Sequence, residues 1–179
     1  MDLVRTERRV QQTVPSVDSF ERLYSAEYAS LVVMAFKLTG SRTIAEELVQ
    51  EGFLRAYQRW DRIGGYDRPG AWVRRVVLNL ATSRSRRLAR RVVALRRVGA
   101  QRGSEALDLS TDTLEFWALV RGLSTRQAQV VVLYYEADRS IEEVAAILGC
   151  GEGTVRAHLH RARQALASRL RDLNGEDEQ

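Results

Sequence analysis

The stretch from Ser140 to Leu166, SIEEVAAILGCGEGTVRAHLHRARQAL, leaves the chain few ways to fold. Ser140 and Glu143 have the spacing of a capping box, in which each side chain bonds the other's backbone N–H and starts a helix. Val144, Ile147 and Leu148 then fall on one face of that helix. Gly149 sits where the chain must turn, a place that suits a residue able to take positive φ. Gly151 or Gly153 opens a second helix, whose apolar residues Val155, Leu159, Ala162 and Leu166 recur at helical spacing. The opposite face carries Arg156, His160, Arg161, Arg163 and Gln164, and is cationic and rich in donors. A supporting helix, a glycine turn and a basic second helix make the pattern that lays a helix in the major groove. The rival reading is a plain helical hairpin with a solvated charged face. Ala145, small where two helices must approach, and the arginines on the far side favour DNA.

Charge and composition narrow the classes. The chain has a formal charge of +5, and Lys37 is its only lysine, so the cationic character is that of arginine. Arginine's planar donor fork suits phosphate. With 45% hydrophobic residues in regular periods, wholesale disorder is excluded. A length of 179 residues accommodates one domain or two small ones. Cys150 is the only cysteine, so no intrachain disulfide can form, and no metal site or cofactor is expected. No nucleophile or acid pattern surrounds His158 or His160, which argues against an enzyme. No apolar run reaches membrane-spanning length and no signal-peptide core is visible, so a soluble cytoplasmic protein is expected.

The remaining chain reads as helices, giving an all-α protein. Residues 1–17 are polar, contain Pro15 and show no period, as a flexible tail would. From Asp18 an apolar face runs through Phe20, Leu23, Tyr24, Tyr28, Leu31, Val32, Ala35, Phe36 and Leu38, until Thr39-Gly40-Ser41 stops it. A second helix, capped by Ser41 or Thr43, is expected to Trp60, with Ile44, Leu48, Phe53, Leu54, Tyr57 and Trp60 apolar. A glycine-rich loop from Ile63 to Gly70 presents aromatic and charged groups. The helix AWVRRVVLNLATSRSRRLARR then buries Trp72, Val73, Val76, Val77 and Leu80, with Arg74, Arg75, Asn79, Ser83, Arg84, Arg86 and Arg87 polar. An aromatic beside such a basic helix can stack a base while the arginines hold phosphates, as in single-strand binding. Periodicity fades between about Val92 and Asp112, so a flexible linker is expected to join two small helical domains, 18–91 and 113–173. The second holds a helix ending at Gly122 and another capped by Ser124 and Gln127 that passes through Ala128, Val131, Val132, Leu133 and Tyr135. Residues 174–179 are an acidic tail.

Read together, LTGSRTIAEELVQEGFLRAYQRWDRI, PGAWVRRVVLNLATSRSRR and LSTRQAQVVVLYYEADRSIEEVAAILGCGEGTVRAHLHRARQAL resemble the bacterial RNA polymerase sigma factors of the extracytoplasmic-function (group 4) type, of the sigma-70 family. The resemblance covers nearly all of the chain from Phe20 to Leu170 in the family's order. It implies a non-catalytic specificity subunit, with 18–91 as region two, 92–112 as linker and 113–173 as region four. Glu47, Gln50, Glu51 and Gly52 match the segment that docks on the clamp helices of the polymerase's largest subunit; the flap is the other polymerase element implied. Tyr66, Asp67 and Arg68 match the loop that captures a flipped base of the minus-ten element, and Trp72, Arg75 and Asn79 the helix after it. Asn79 can offer both a donor and an acceptor to a base edge. Arg84, Arg86 and Arg87 would hold the backbone as the strands part. Arg156, Ala157, His160 and Arg161 match positions facing the minus-thirty-five duplex, and Arg163 one nearer a phosphate. Promoter DNA, core RNA polymerase and an anti-sigma factor are the implied partners.

Ser83 stands where the family commonly has an acidic or amide residue, which counts against a second polar contact on that helix; Gly151 points to a weaker helix cap, and Ala157 and His158 to an unusual minus-thirty-five preference. Two rival functions stay open on the sequence. One is a stand-alone regulator using only the helix-turn-helix, and the other is a scaffold that keeps the fold without promoter activity.

Overall fold

A computed structural model of the chain describes residues 16–95 and 111–176, with side chains over 16–84 and 113–172. Residues 1–15 of the expected N-terminal tail, 96–110 of the linker and 177–179 of the acidic tail lie outside the described residues, as do the side chains of Arg86 and Arg87. All regular elements among the described residues are helical.

The N-terminal bundle is built from local signals that can be traced one by one. Helix α1, Val17–Thr39, opens on a reciprocal cap in which the N–H groups of Ser16 and Ser19 donate to each other's hydroxyls at 3.1 and 3.2 Å. It ends at Gly40, whose φ of 73° lets its N–H turn back to the Phe36 carbonyl at 2.7 Å. Ser41 starts α2, Arg42–Tyr57, by accepting from the Ile44 N–H. The sequence period predicts an unbroken helix to Trp60. Instead α2 stops at Tyr57 and a single turn, α3, Trp60–Ile63, follows. The break swings the Trp60 indole beneath the start of α1, where Nε1 donates to the Ser16 carbonyl at 3.0 Å. Pro69 then occupies the first position of α4, Pro69–Leu95, where a missing N–H costs nothing. Helices α1, α2 and α4 close on Leu31, Ala35, Leu38, Val49, Phe53, Val73 and Val77.

The C-terminal bundle contains α5, Thr111–Arg121, α6, Thr125–Val131, a π-helical turn, Val132–Glu136, then α7, Ile141–Leu148, and α8, Glu152–Glu176. Its core holds Trp117, Val120, Val131, Leu133, Val144, Leu148, Val155, Leu159 and Ala162. Arg169 of α8 fastens the end of α5 by donating to the carbonyls of Leu119 and Gly122 at 2.8 and 2.9 Å. A cation there also opposes the negative end of the helix dipole.

Among the described residues the two bundles share one buried apolar cluster, and polar bonds cross between them as well. Lys37, only 7% exposed, pairs with Glu136 of the π-turn and lies 4.8 Å from the centre of the Trp117 ring. Its burial lowers its pKa from the ordinary lysine value. Arg121 donates to the Lys37 carbonyl at 3.2 Å and lies against Gly40. In the middle of the seam the buried Gln129 of α6 donates to Asn79 Oδ1 and Thr82 Oγ1 of α4.

Candidate nucleic-acid interface

The helix-turn-helix is α7, the turn at Gly149–Gly151, and α8. Ser140 and Glu143 close their capping box in both directions, at 3.1 and 3.2 Å. Those bonds, and Arg139 beside it, hold the Glu143 carboxyl below the ordinary glutamate range. Gly149 takes φ 65° and its conformation ends α7. Gly151 starts α8 through its carbonyl alone, accepting from Thr154 and Val155. Val155, Leu159 and Ala162 are buried, so α8 turns its opposite side to solvent. Arg156, Ala157, His160, Arg161 and Arg163 are all exposed there and form one continuous surface. Arg156 is 62% exposed by its side chain and pairs with Glu152 one turn back, an exposed pair that is easily exchanged for a stronger anion. His158 differs: it is half-buried and its Nδ1 is enclosed without a hydrogen-bond partner among the described residues.

The second candidate surface is the loop 64–68 with the first half of α4. Tyr66, Asp67 and Arg68 are exposed on a loop shorter than the sequence suggests, because α4 already begins at Pro69. Trp72 is half-buried against the core. Arg75 and Asn79 are exposed one turn apart, and both meet the C-terminal bundle. The Arg75 guanidinium lies beside Gly149, 3.0 Å from where a Cβ would stand, while Asn79 accepts from Gln129 at 3.2 Å. Arg84 is exposed further along the same helix. Arg74, expected on the polar side, is instead only 6% exposed and ion-paired with Glu27 of α1. Burial lowers its pKa from the ordinary arginine value while the Glu27 carboxylate opposes that shift.

The third surface is on α2. Glu47 and Gln50 are exposed, and Glu51 pairs with Arg55 at 2.7 Å. Gly52 does not reach the surface. A Cβ there would stand 2.6 Å from Val77 Cγ2, so this glycine serves the close crossing of α2 and α4 and offers no side to a partner. Leu54 and Tyr57, two of the apolar positions of the helix, are 51% and 53% exposed, near Gln50 and Glu51 in the sequence. Their offsets of four and seven from Gln50 were the available signal.

These features define a class: an all-α DNA-binding protein of two bundles, one of them a helix-turn-helix with its basic face open. Residues 23–92 match the family described as Sigma-70 region 2, and residues 113–166 the one described as Sigma-70, region 4. The RNA polymerase sigma-E factor of Streptomyces avermitilis is 31% identical over 87% of this chain and 88% of its own length. The ECF RNA polymerase sigma factor SigL of Mycobacterium tuberculosis is 33% identical over 84% and 88%. Among solved structures, the sigma factor RpoE of Bartonella quintana, determined in complex with the anti-sigma factor NepR, superposes with a TM-score of 0.65 at 27% identity, over 87% of this chain and 98% of that one. The chain belongs to the sigma-70 family, in its extracytoplasmic-function branch. It is an alternative sigma factor, acting in transcription initiation. The stand-alone regulator is not favoured, because the N-terminal bundle is itself the region 2 match. Among the described residues no helix is long and apolar enough to cross a membrane.

Proposed function

We propose that residues 18–91 bind the clamp helices of core RNA polymerase and the minus-ten element, and that residues 113–173 bind the minus-thirty-five element, joined through 92–112, whose two ends belong to α4 and α5. The single observation that carries this reading is the unobstructed row Arg156, Ala157, His160, Arg161 and Arg163 on α8. Arg156 suits a bidentate contact to guanine, worth about 1–3 kcal/mol of discrimination, and Arg163 suits a phosphate. On α4, Trp72, Arg75 and Asn79 would read the minus-ten strand, with Tyr66, Asp67 and Arg68 enclosing a flipped base and Arg84, Arg86 and Arg87 holding phosphates. On α2, Glu47, Gln50 and Glu51 would dock on the clamp helices, where carboxylates set rate and register more than affinity. Leu54 and Tyr57 add exposed apolar area to that face. The polymerase supplies the chemistry, so the chain itself is no enzyme and acts in the cytoplasm with it. An anti-sigma factor is a fitting regulator, since RpoE was solved bound to one.

In the arrangement seen here Asn79 is held by Gln129, so promoter reading requires the bundles to part. Transcription in vitro with purified core polymerase tests the whole reading. Initiation should depend on this chain and drop when Arg156 and Arg161 are both replaced by alanine. Asn79→Ala should keep core binding but lose permanganate reactivity of the minus-ten bases. Binding to duplex without any effect on core polymerase would overturn the proposal.

A further inference from the structure

Tyr135 lies in the π-turn Val132–Glu136, two residues beyond the run 128–133, which is buried throughout. The Ala137 N–H reaches back to the Val132 carbonyl at 3.1 Å, one residue further than an α-helix allows. Within this turn Tyr135 is 49% exposed. Such turns occur frequently at functional sites.

What this exposed side chain meets is Arg163 of α8. Arg163 Nε donates to the Tyr135 hydroxyl at 2.7 Å, and the guanidinium carbon lies 5.7 Å from the ring centre. The terminal nitrogens carry four of arginine's five N–H donors, and this bond uses neither. The nature of the partner matters. Arg156 on the same face is tied to a carboxylate, Glu152, which partly cancels its charge. Arg163 is tied to a neutral hydroxyl, and the adjacent carboxylate, Glu136, is turned away to Lys37. The guanidinium is thus held still without being neutralised.

We propose that Tyr135 is a positioning residue of the minus-thirty-five contact, whose hydroxyl and ring hold Arg163 ready for a DNA phosphate. The proposal rests on the reading of Arg163 as a phosphate contact. A long side chain anchored beforehand has less freedom to lose when it binds. Because a phosphate contact carries no sequence information, its loss weakens all duplexes alike.

The test uses holoenzyme reconstituted from the full chain and core polymerase. Its probes are a duplex that the wild-type holoenzyme selects from a pool randomised at the minus-thirty-five element, and a scrambled counterpart. Affinity is measured across a salt series for Tyr135→Phe, Arg163→Ala and the double variant. Arg163→Ala should lower the slope of log affinity against log salt by about 1. Tyr135→Phe should weaken both duplexes by the same factor, about three- to tenfold, the range of one hydrogen bond, leaving their ratio unchanged. The double variant should bind no more weakly than Arg163→Ala. Additive losses, or wild-type behaviour of Tyr135→Phe beside a weakened Arg163→Ala, would overturn the positioning role alone. Unchanged affinity and slope in Arg163→Ala would remove the phosphate contact itself and this proposal with it.

Discussion

His158 carries two influences on one side chain: its helix bears the exposed basic row, but its own ring is half-buried. Desolvation lowers its pKa from the ordinary 6.5, and the positive charges of Arg161 and Arg126 push it the same way. The unfolded chain therefore takes up the proton at a higher pH than the folded one. Stability is then level above 6.5 and falls as pH drops through that value toward the depressed one. The melting temperature should be lower at about pH 5.5 than at about pH 7.5, and His158→Gln should flatten this dependence. An undiminished slope in the variant would place the responsible group elsewhere. At this scale residue type was readable but environment was not. Gly52 lies in a segment that looks like a docking surface, and only its crossing with Val77 shows it to be a packing residue. Arg74 and Arg75 are the same residue type side by side, one buried on Glu27 and the other exposed.

Helix boundaries, by contrast, follow from bonds a few residues long, and the caps at Ser41, Ser124 and Ser140 stand where the sequence puts them. The two glycines around the turn separate backbone need from an unused position. Gly149 has φ 65° and Arg75 pressed against it, whereas the space beside Gly151 is open and its φ is not in the left-handed region. Gly151→Ser should supply the missing side-chain acceptor at the start of α8 and stabilise by a few tenths of a kcal/mol, about the Gly-to-Ser difference at an N-cap. Gly149→Ser should lower the melting temperature, since its side chain meets both a strained φ and the Arg75 guanidinium. Equal shifts in the two variants would contradict this account of the turn. Elements failed to be legible at two places, the break after Tyr57 and the π-turn at Val132–Glu136. At both places a side chain meets a partner distant in sequence: Trp60 bonds Ser16, while Glu136 and Tyr135 meet Lys37 and Arg163.

Across the whole molecule the bundles share one buried apolar cluster among the described residues, and polar bonds cross the seam beside it. Gln129 bonds Asn79 and Thr82 at 3.2 and 3.3 Å and accepts from Arg126 at 3.2 Å. Gln129→Leu preserves most of the volume while removing those bonds. Its cost should be about 0.5–1.5 kcal/mol for each bond lost, and it should fall on the seam more than on either core. The expected result is a larger radius of gyration by small-angle scattering with unchanged helical content. A radius equal to that of the wild type would show that the shared apolar cluster, with Lys37–Glu136 and Arg121, holds the bundles without Gln129. The sequence alone determined the all-α class, both bundles, the caps and the basic face of α8, because helical period and capping depend on residues within about one turn. It could not say which face of α4 would meet α6, or that Lys37 would find Glu136 across 99 positions. Those pairings depend on how two finished bundles fit together, so the tertiary structure alone decided that Asn79 is engaged while the row on α8 stands open.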